Sequence, residues 1–143
     1  MQRIINGFIR VFNSIEHING VNIGIDELGT KIYFVNDRYH REDGPAIETI
    51  CGHKVWCING IKHRLDGPAV ITSNGLSKQW FVNGLLHRLD GPAVEYSNNY
   101  KEWRINGILH RLDGPAIEWG DGAITYYVGG QEVNPVPKTK KVN

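Results

Sequence analysis

The sequence predicts a mainly β protein: an elongated, twisted antiparallel meander of about ten short strands, built from hairpin repeats of 23–24 residues and preceded by a short amphipathic helix. Three observations predict it. The string His-Arg-x-Asp-Gly-Pro-Ala recurs along the chain, period-two strand patterns precede each copy, and 17 Gly and 6 Pro supply the turns that many short strands need. With 143 residues, the chain has the length of one domain and can bury a core.

The N-terminal segment 1–16 has its own pattern. At about 100° per residue, Ile4, Ile5, Phe8, Ile9 and Phe12 share one half of a helical wheel with Met1, Val11 and Ile15, while Arg3, Arg10 and the other polar residues fill the other half. This favours an amphipathic helix that caps the first hairpin, mediates dimerisation or lies on a membrane. Asn6-Gly7 is a poor helix interior, and Ile5-Asn6-Gly7-Phe8 echoes Ile105-Asn106-Gly107-Ile108, so a vestigial hairpin is the alternative.

The repeat domain spans 17–133. Its histidines His40, His63, His87 and His110 are separated by 23, 24 and 23 residues. Seven residues before each lies an aromatic: Tyr33, Trp56, Trp80 and Trp103. Between aromatic and histidine stand Asn36-Asp37, Asn59-Gly60, Asn83-Gly84 and Asn106-Gly107, which suit a tight type I′ reversal. Such a turn places Tyr33 opposite His40, Trp56 opposite His63, Trp80 opposite His87 and Trp103 opposite His110. Alternation puts Trp80 with Val82, and Trp103 with Ile105, on one face. Pro45, Pro68, Pro92 and Pro115 then open a second strand at its first residue, where a missing N–H is tolerated. Polar turns such as Ser73-Asn74-Gly75 close each unit, and the extra residue of the longer repeat is expected there. Degenerate copies at His17 and at Tyr126 to Val133 have the character of end caps.

The ladder residues Asp43, Asp66, Asp90 and Asp113 with Arg64, Arg88 and Arg111 read as architecture. A catalytic group is needed once, whereas these recur in every unit. Two strands per repeat separate equivalent histidines by about 9–10 Å, too far for the ring nitrogens of two zinc ligands, which lie about 3–3.5 Å apart. Each aspartate can accept from its own turn, and each arginine can pair with an aspartate of the same or an adjacent loop. Cys51 and Cys57 read as free thiols, because a zinc site usually needs four ligands. Glu48, Glu95 and Glu118 read as a solvated strand face. No catalytic, cofactor-binding or metal residue is expected, and the chain reads as a non-enzyme without cofactor or small-molecule substrate.

The motif Trp-x-x-Asn-Gly-x-x-His-Arg-x-Asp-Gly-Pro-Ala resembles the MORN repeat, most closely the variant seen in some large DNA viruses and bacteria. It departs from the common pattern where Arg follows the His and Pro-Ala follows Asp-Gly. The resemblance implies an elongated β scaffold, often dimeric, with lipid binding proposed for some members.

Sixteen Lys and Arg against fifteen Asp and Glu give a net +1, which excludes a polybasic nucleic-acid coat. Lys138, Lys140 and Lys141 lie in a segment, 134–143, expected to be a disordered basic tail; the remainder carries −2. Two Cys, no long apolar run and no signal-like N-terminus predict a soluble intracellular protein of the cytoplasm or nucleus, of a host cell if viral. The function expected is a scaffold for protein–protein interaction, including a homodimer; the alternative is a peripheral membrane adaptor using the N-terminal helix and the basic tail.

Overall fold

The structure is a computed structural model that describes residues 1–135. The basic tail lies outside the described residues, save Asn134 and Pro135. The described residues form antiparallel strands and one short 3₁₀ turn, so the mainly β expectation holds.

The N-terminal helix is not there. β1 (Gln2–Ile5) and β2 (Phe8–Val11) pair as a hairpin, with Ile5 opposite Phe8 and Ile4 opposite Ile9. Asn6 and Gly7 have φ of 50° and 81°, so both turn residues sit in the left-handed region that a type I′ reversal requires. An Asn-Gly pair pays no penalty there and weakens a helix, so local turn chemistry overrides the 3.6-residue periodicity.

β3 (Ser14–Ile18), β4 (Val21–Ile25) and β5 (Lys31–Val35) open the main sheet. The first unit continues through β6 (Arg38–Tyr39) and β7 (Ile47–Glu48). The second contains β8 (Lys54–Val55), β9 (Cys57–Ile58), β10 (Ile61–Lys62) and β11 (Val70–Ile71). The third contains β12 (Ser77–Gln79), β13 (Phe81–Val82), β14 (Leu85–Leu86) and β15 (Val94–Tyr96). The fourth contains β16 (Lys101–Glu102), β17 (Arg104–Ile105), β18 (Ile108–Leu109) and β19 (Ile117–Glu118), and β20 (Ile124–Val128) with β21 (Gln131–Val133) ends the stack.

Twenty-one strands thus replace the ten expected among the described residues, because each repeat position is broken in two. In the third unit, β12 and β13 form one outgoing arm, interrupted at Trp80. β14 and β15 form the return arm, interrupted by the loop from His87 to Pro92. Both halves of the return arm bond to both neighbouring outgoing arms. Gln79 is paired with Val94 and Val94 with Glu102; Phe81 is paired with Leu86, and the Gly107 N–H donates to the Leu86 carbonyl at 2.7 Å. A repeat therefore occupies two strand positions, as the spacing predicted, and its recurrent heptapeptide is a bulge thrown out from the second.

The inserted residue of the longer unit is where it was expected. Thr49, Tyr96 and Trp119 each donate to the carbonyl four residues on, whereas Thr72 donates to Ser77, five on, around the 3₁₀ turn Ser73–Gly75.

One sheet face carries the core. Ile32, Phe34 and Tyr39 of the first unit and Val55 and Cys57 of the second are buried together under Ile5 and Phe12, whose ring stacks on Phe34 at 5.8 Å. Along the other face, the residues directly opposite one another across the sheet run Lys31, Glu48, Lys54, Ile71, Lys78, Glu95, Lys101, Glu118. The charges alternate in sign except at Ile71, so Glu48 and Glu95 each lie between two Lys and Glu118 lies between Lys101 and Ile124; opposite charges across a strand pair favour this register.

Candidate functional site

The heptapeptide loops are organised around their arginines. Arg41, Arg64, Arg88 and Arg111 stack over Tyr33, Trp56, Trp80 and Trp103 with the guanidinium carbon 3.9–4.0 Å from the ring centroid. In each loop Nε donates to the Asp two residues on at 2.9–3.1 Å. Nη1 donates to the Pro carbonyl four residues on at 3.0–3.2 Å, which closes the loop on itself. In three units Nη1 also lies 3.1–3.5 Å from Glu48, Glu95 or Glu118; the second unit has Ile71 there and lacks the contact. Glu48, Glu95 and Glu118 thus belong to the loop as much as to the solvated face.

The glycine of Asp-Gly-Pro has a steric purpose. A Cβ built on Gly44, Gly67, Gly91 or Gly114 would fall 2.8–2.9 Å from the guanidinium carbon, inside van der Waals contact. The guanidinium is sandwiched between an aromatic ring and bare backbone.

The histidines tie one unit to the next. Backbone N–H groups of Asn59, Asn83, Asn106 and Gly129 donate to Nδ1 of His40, His63, His87 and His110 at 2.9–3.1 Å. An accepting Nδ1 puts the neutral ring's proton on Nε2. Each histidine also lies opposite its aromatic, as the turn geometry predicts: the N–H of His63 donates to the Trp56 carbonyl at 3.1 Å, with equivalents at Tyr33, Trp80 and Trp103. The structure therefore brings each aromatic, His, Arg and Asp together within its own unit, and gathers them into no common cleft.

The aspartates are held by their own loop's arginine, not by an adjacent one. The guanidinium hydrogen bond, then its charge, lowers the carboxyl pKa of Asp43 and Asp66 below the ordinary aspartate value. Tyr100 and Glu102 form a separate polar cluster on the core face: Tyr100 Oη donates to Glu102 Oε1 and Arg104 Nε to Glu102 Oε2, each at 2.5 Å. Burial, then the carboxylate, pushes the Tyr100 phenol up.

Successive loops bound three grooves in a row, and a fourth lies between the β3–β4 turn and the first loop. Between the second and third loops, the walls are Arg64 to Pro68 and His87 to Asp90, and the floor is Trp80 and Val82, in a cleft of about 660 Å³. Equivalent clefts of about 530 and 750 Å³ have floors of Trp56 and Ile58, and Trp103 and Ile105; the end cleft of about 570 Å³, over Tyr33 and Val35, has Ile18 to Val21 as its outer wall. The second and third loops, which separate grooves, are topped by Leu65 and Leu89, and the fourth, which bounds the last groove, by Leu112, all 79–81% exposed. Sequence reasoning passed over these leucines because they stand at the variable position of the motif; their recurrence in three copies was the available signal.

The N-terminal residues divide differently from a helix. Ile5 and Phe12 are buried, whereas Ile4, Phe8 and Ile9 are 61–65% exposed. Asn6 reaches into the stack, accepting from the Tyr39 N–H at 3.1 Å and donating to the Gly60 carbonyl at 2.8 Å. A membrane adaptor built on an amphipathic helix has lost that helix. No helix among the described residues is long and apolar enough to cross a membrane.

Cys51 and Cys57 are free thiols. Cys57 is in the core, where burial pushes its pKa up to about 11. Cys51 is exposed, and hydrogen bonds with Ser73 and Thr49 lower its pKa. Among the described residues no group of three His, Cys, Asp or Glu is placed to hold a metal ion. Comparison of the chain with family models, with curated proteins and with solved structures found no match.

Proposed function

We propose that this chain is a MORN-like, non-enzymatic repeat scaffold that binds protein along its row of grooves. One observation carries the reading: an aromatic-floored cleft is presented three times between successive loops and once more before the first, with exposed Leu65 and Leu89 between the three. Solvated leucines contribute little to the fold, and contiguous exposed apolar surface is characteristic of interaction sites. The His, Arg and Asp side chains are already committed to holding the loops and joining the units, which supports a structural role for them.

The test is affinity capture from native cells with the full chain and with a Leu65→Ser/Leu89→Ser/Leu112→Ser variant of equal thermal stability. A partner recovered by the first and lost by the second supports the reading. A partner retained by the variant removes the ridge from it.

Self-association is the second part of the proposal, favoured by the outward face of the N-terminal hairpin, where Ile4, Ile9 and Val11 are exposed side by side. Size-exclusion chromatography with light scattering should give a dimer that Ile4→Ser/Ile9→Ser converts to monomer. A strictly monomeric wild-type protein would end this part.

A further inference from the structure

We propose that the grooves take a proline-rich, basic segment of a partner protein in the polyproline II conformation, with every third residue seated in successive grooves. The inference rests on the interaction surface proposed above and names the partner's chemistry.

Pitch is the first ground. Each unit contributes two strand positions on both sides of the loops: β12 and β15 on one side, β13 and β14 on the other. Strand spacing of about 4.7–4.9 Å sets successive grooves about 9.4–9.8 Å apart. A polyproline II segment advances about 9.3 Å in three residues and returns the same side to the surface. Over the three steps that link four grooves it lags by no more than about 1.5 Å. An extended β-strand presents the same face about every 6.6–6.8 Å and is out of phase at the next groove. An α-helix offers its nearest repeat after seven residues, about 10.5 Å, and overshoots by about 2–3 Å across the row.

The second ground is the lining. A rigid Tyr or Trp floor, flanked in three of the four grooves by a leucine-topped ridge, is the kind of surface against which proline rings pack, and a ligand already in polyproline II loses little entropy on docking.

Charge is the third. The arginines are tucked beneath their loops with side chains 22–23% exposed, while Asp43, Asp66, Asp90 and Asp113 are 86–88% exposed. Each aspartate engages its arginine through Oδ1. Glu42 replaces the ridge leucine in the first loop and is 84% exposed. The outermost charges along the ridges are therefore carboxylates, complementary to lysine or arginine at the positions between prolines.

The experiment is fluorescence anisotropy of the full chain with a labelled peptide of repeated Pro-Leu-Lys triplets long enough to cross all four grooves. The control is a composition-matched peptide with its prolines clustered at one end. The triplet peptide should bind at least about tenfold more tightly than the control, and more weakly as salt rises. Leu65→Arg/Leu89→Arg, at exposed positions that leave folding intact, should weaken it at least about tenfold. Equal affinity for both peptides, or no binding at about 1 mM, overturns the proposal. A further peptide of residues 134–143, which holds two Pro and three Lys, tests a second copy as occupant; binding by it alone would overturn the assignment to a partner protein. If the triplet peptide fails while the triple Ser variant still loses its captured partner, only the partner's chemistry is wrong. If that variant keeps the partner, the surface itself is wrong.

Discussion

The arginine of each loop makes four kinds of contact at once: ring, carboxylate, carbonyl and glycine backbone. Its contributions are unequal. The Arg–Asp pair lies at the surface, where water and salt screen it and its contribution is small, whereas a guanidinium lying partly desolvated on an indole contributes about 0.5–2 kcal/mol and fixes the loop besides. Gly91→Ala should therefore cost more than Asp90→Ala. The new methyl must push Arg88 off Trp80, a destabilisation of about 1–3 kcal/mol that a urea titration would read. Gly91→Ala of wild-type stability would show that the sandwich is dispensable. The aspartates also predict a pH dependence. Because Arg41 and Arg64 depress the folded-state pKa of Asp43 and Asp66, their contribution is present above the unfolded-state value of about 3.9 and disappears as pH falls through the lower, folded-state value. Asp43→Asn/Asp66→Asn should melt below wild type at neutral pH, and the gap should close only as pH falls below the ordinary aspartate range and the depressed wild-type carboxyls become protonated.

Among elements, the N-terminal hairpin distinguishes what periodicity can and cannot say. Apolar residues at 1, 4, 5, 8, 9 and 12 satisfy a helical stripe, yet they are also symmetric about Asn6-Gly7, pairing as 5 with 8, 4 with 9 and 1 with 12. That symmetry belongs to a hairpin alone, and the turn residues at its centre decide between the two. The hairpin's energetic anchor is Phe12, 1% exposed and packed against the Gly24 backbone as well as Phe34. Phe12→Ala should cost about 3–5 kcal/mol, measured by chemical denaturation. A loss below about 1 kcal/mol would mean that the hairpin does not hold the core together. The hairpin Asn19-Gly20 between β3 and β4 was not recognised as one, although its turn has the same signature.

Across the whole molecule, the repeat is uniform on its loop face and uneven on its core face. The positions held by Ile32 and Phe34 in the first unit become Gln79 and Phe81 in the third and Glu102 and Arg104 in the fourth. The principal buried cluster accordingly extends from Ile5 to Val70 and includes no residue of the fourth unit. Since stability in a repeat array is approximately a sum of unit and neighbour terms, it should decline toward the C-terminal end. Native-state hydrogen exchange should show slower amides in β4, β5 and β8 than in β17, β18 and β20. Uniform protection throughout would indicate that the stack opens as one unit.

The sequence by itself determined the β architecture, the unit length, the type I′ turns, the facing of aromatic and histidine, and the site of the inserted residue. These follow from local rules: turn residues, alternation and spacing act over a few positions and need no knowledge of the rest of the chain. Tertiary structure alone decided which faces of the N-terminal hairpin are buried, that the arginines stack under their own loops, and that the leucines line a row of grooves. Each of those depends on which surfaces meet once the units stack. Burial of Ile5 and Phe12, the closeness of Gly91 to Arg88, and the exposure of Leu89 are properties of packed neighbours, which a linear pattern does not specify.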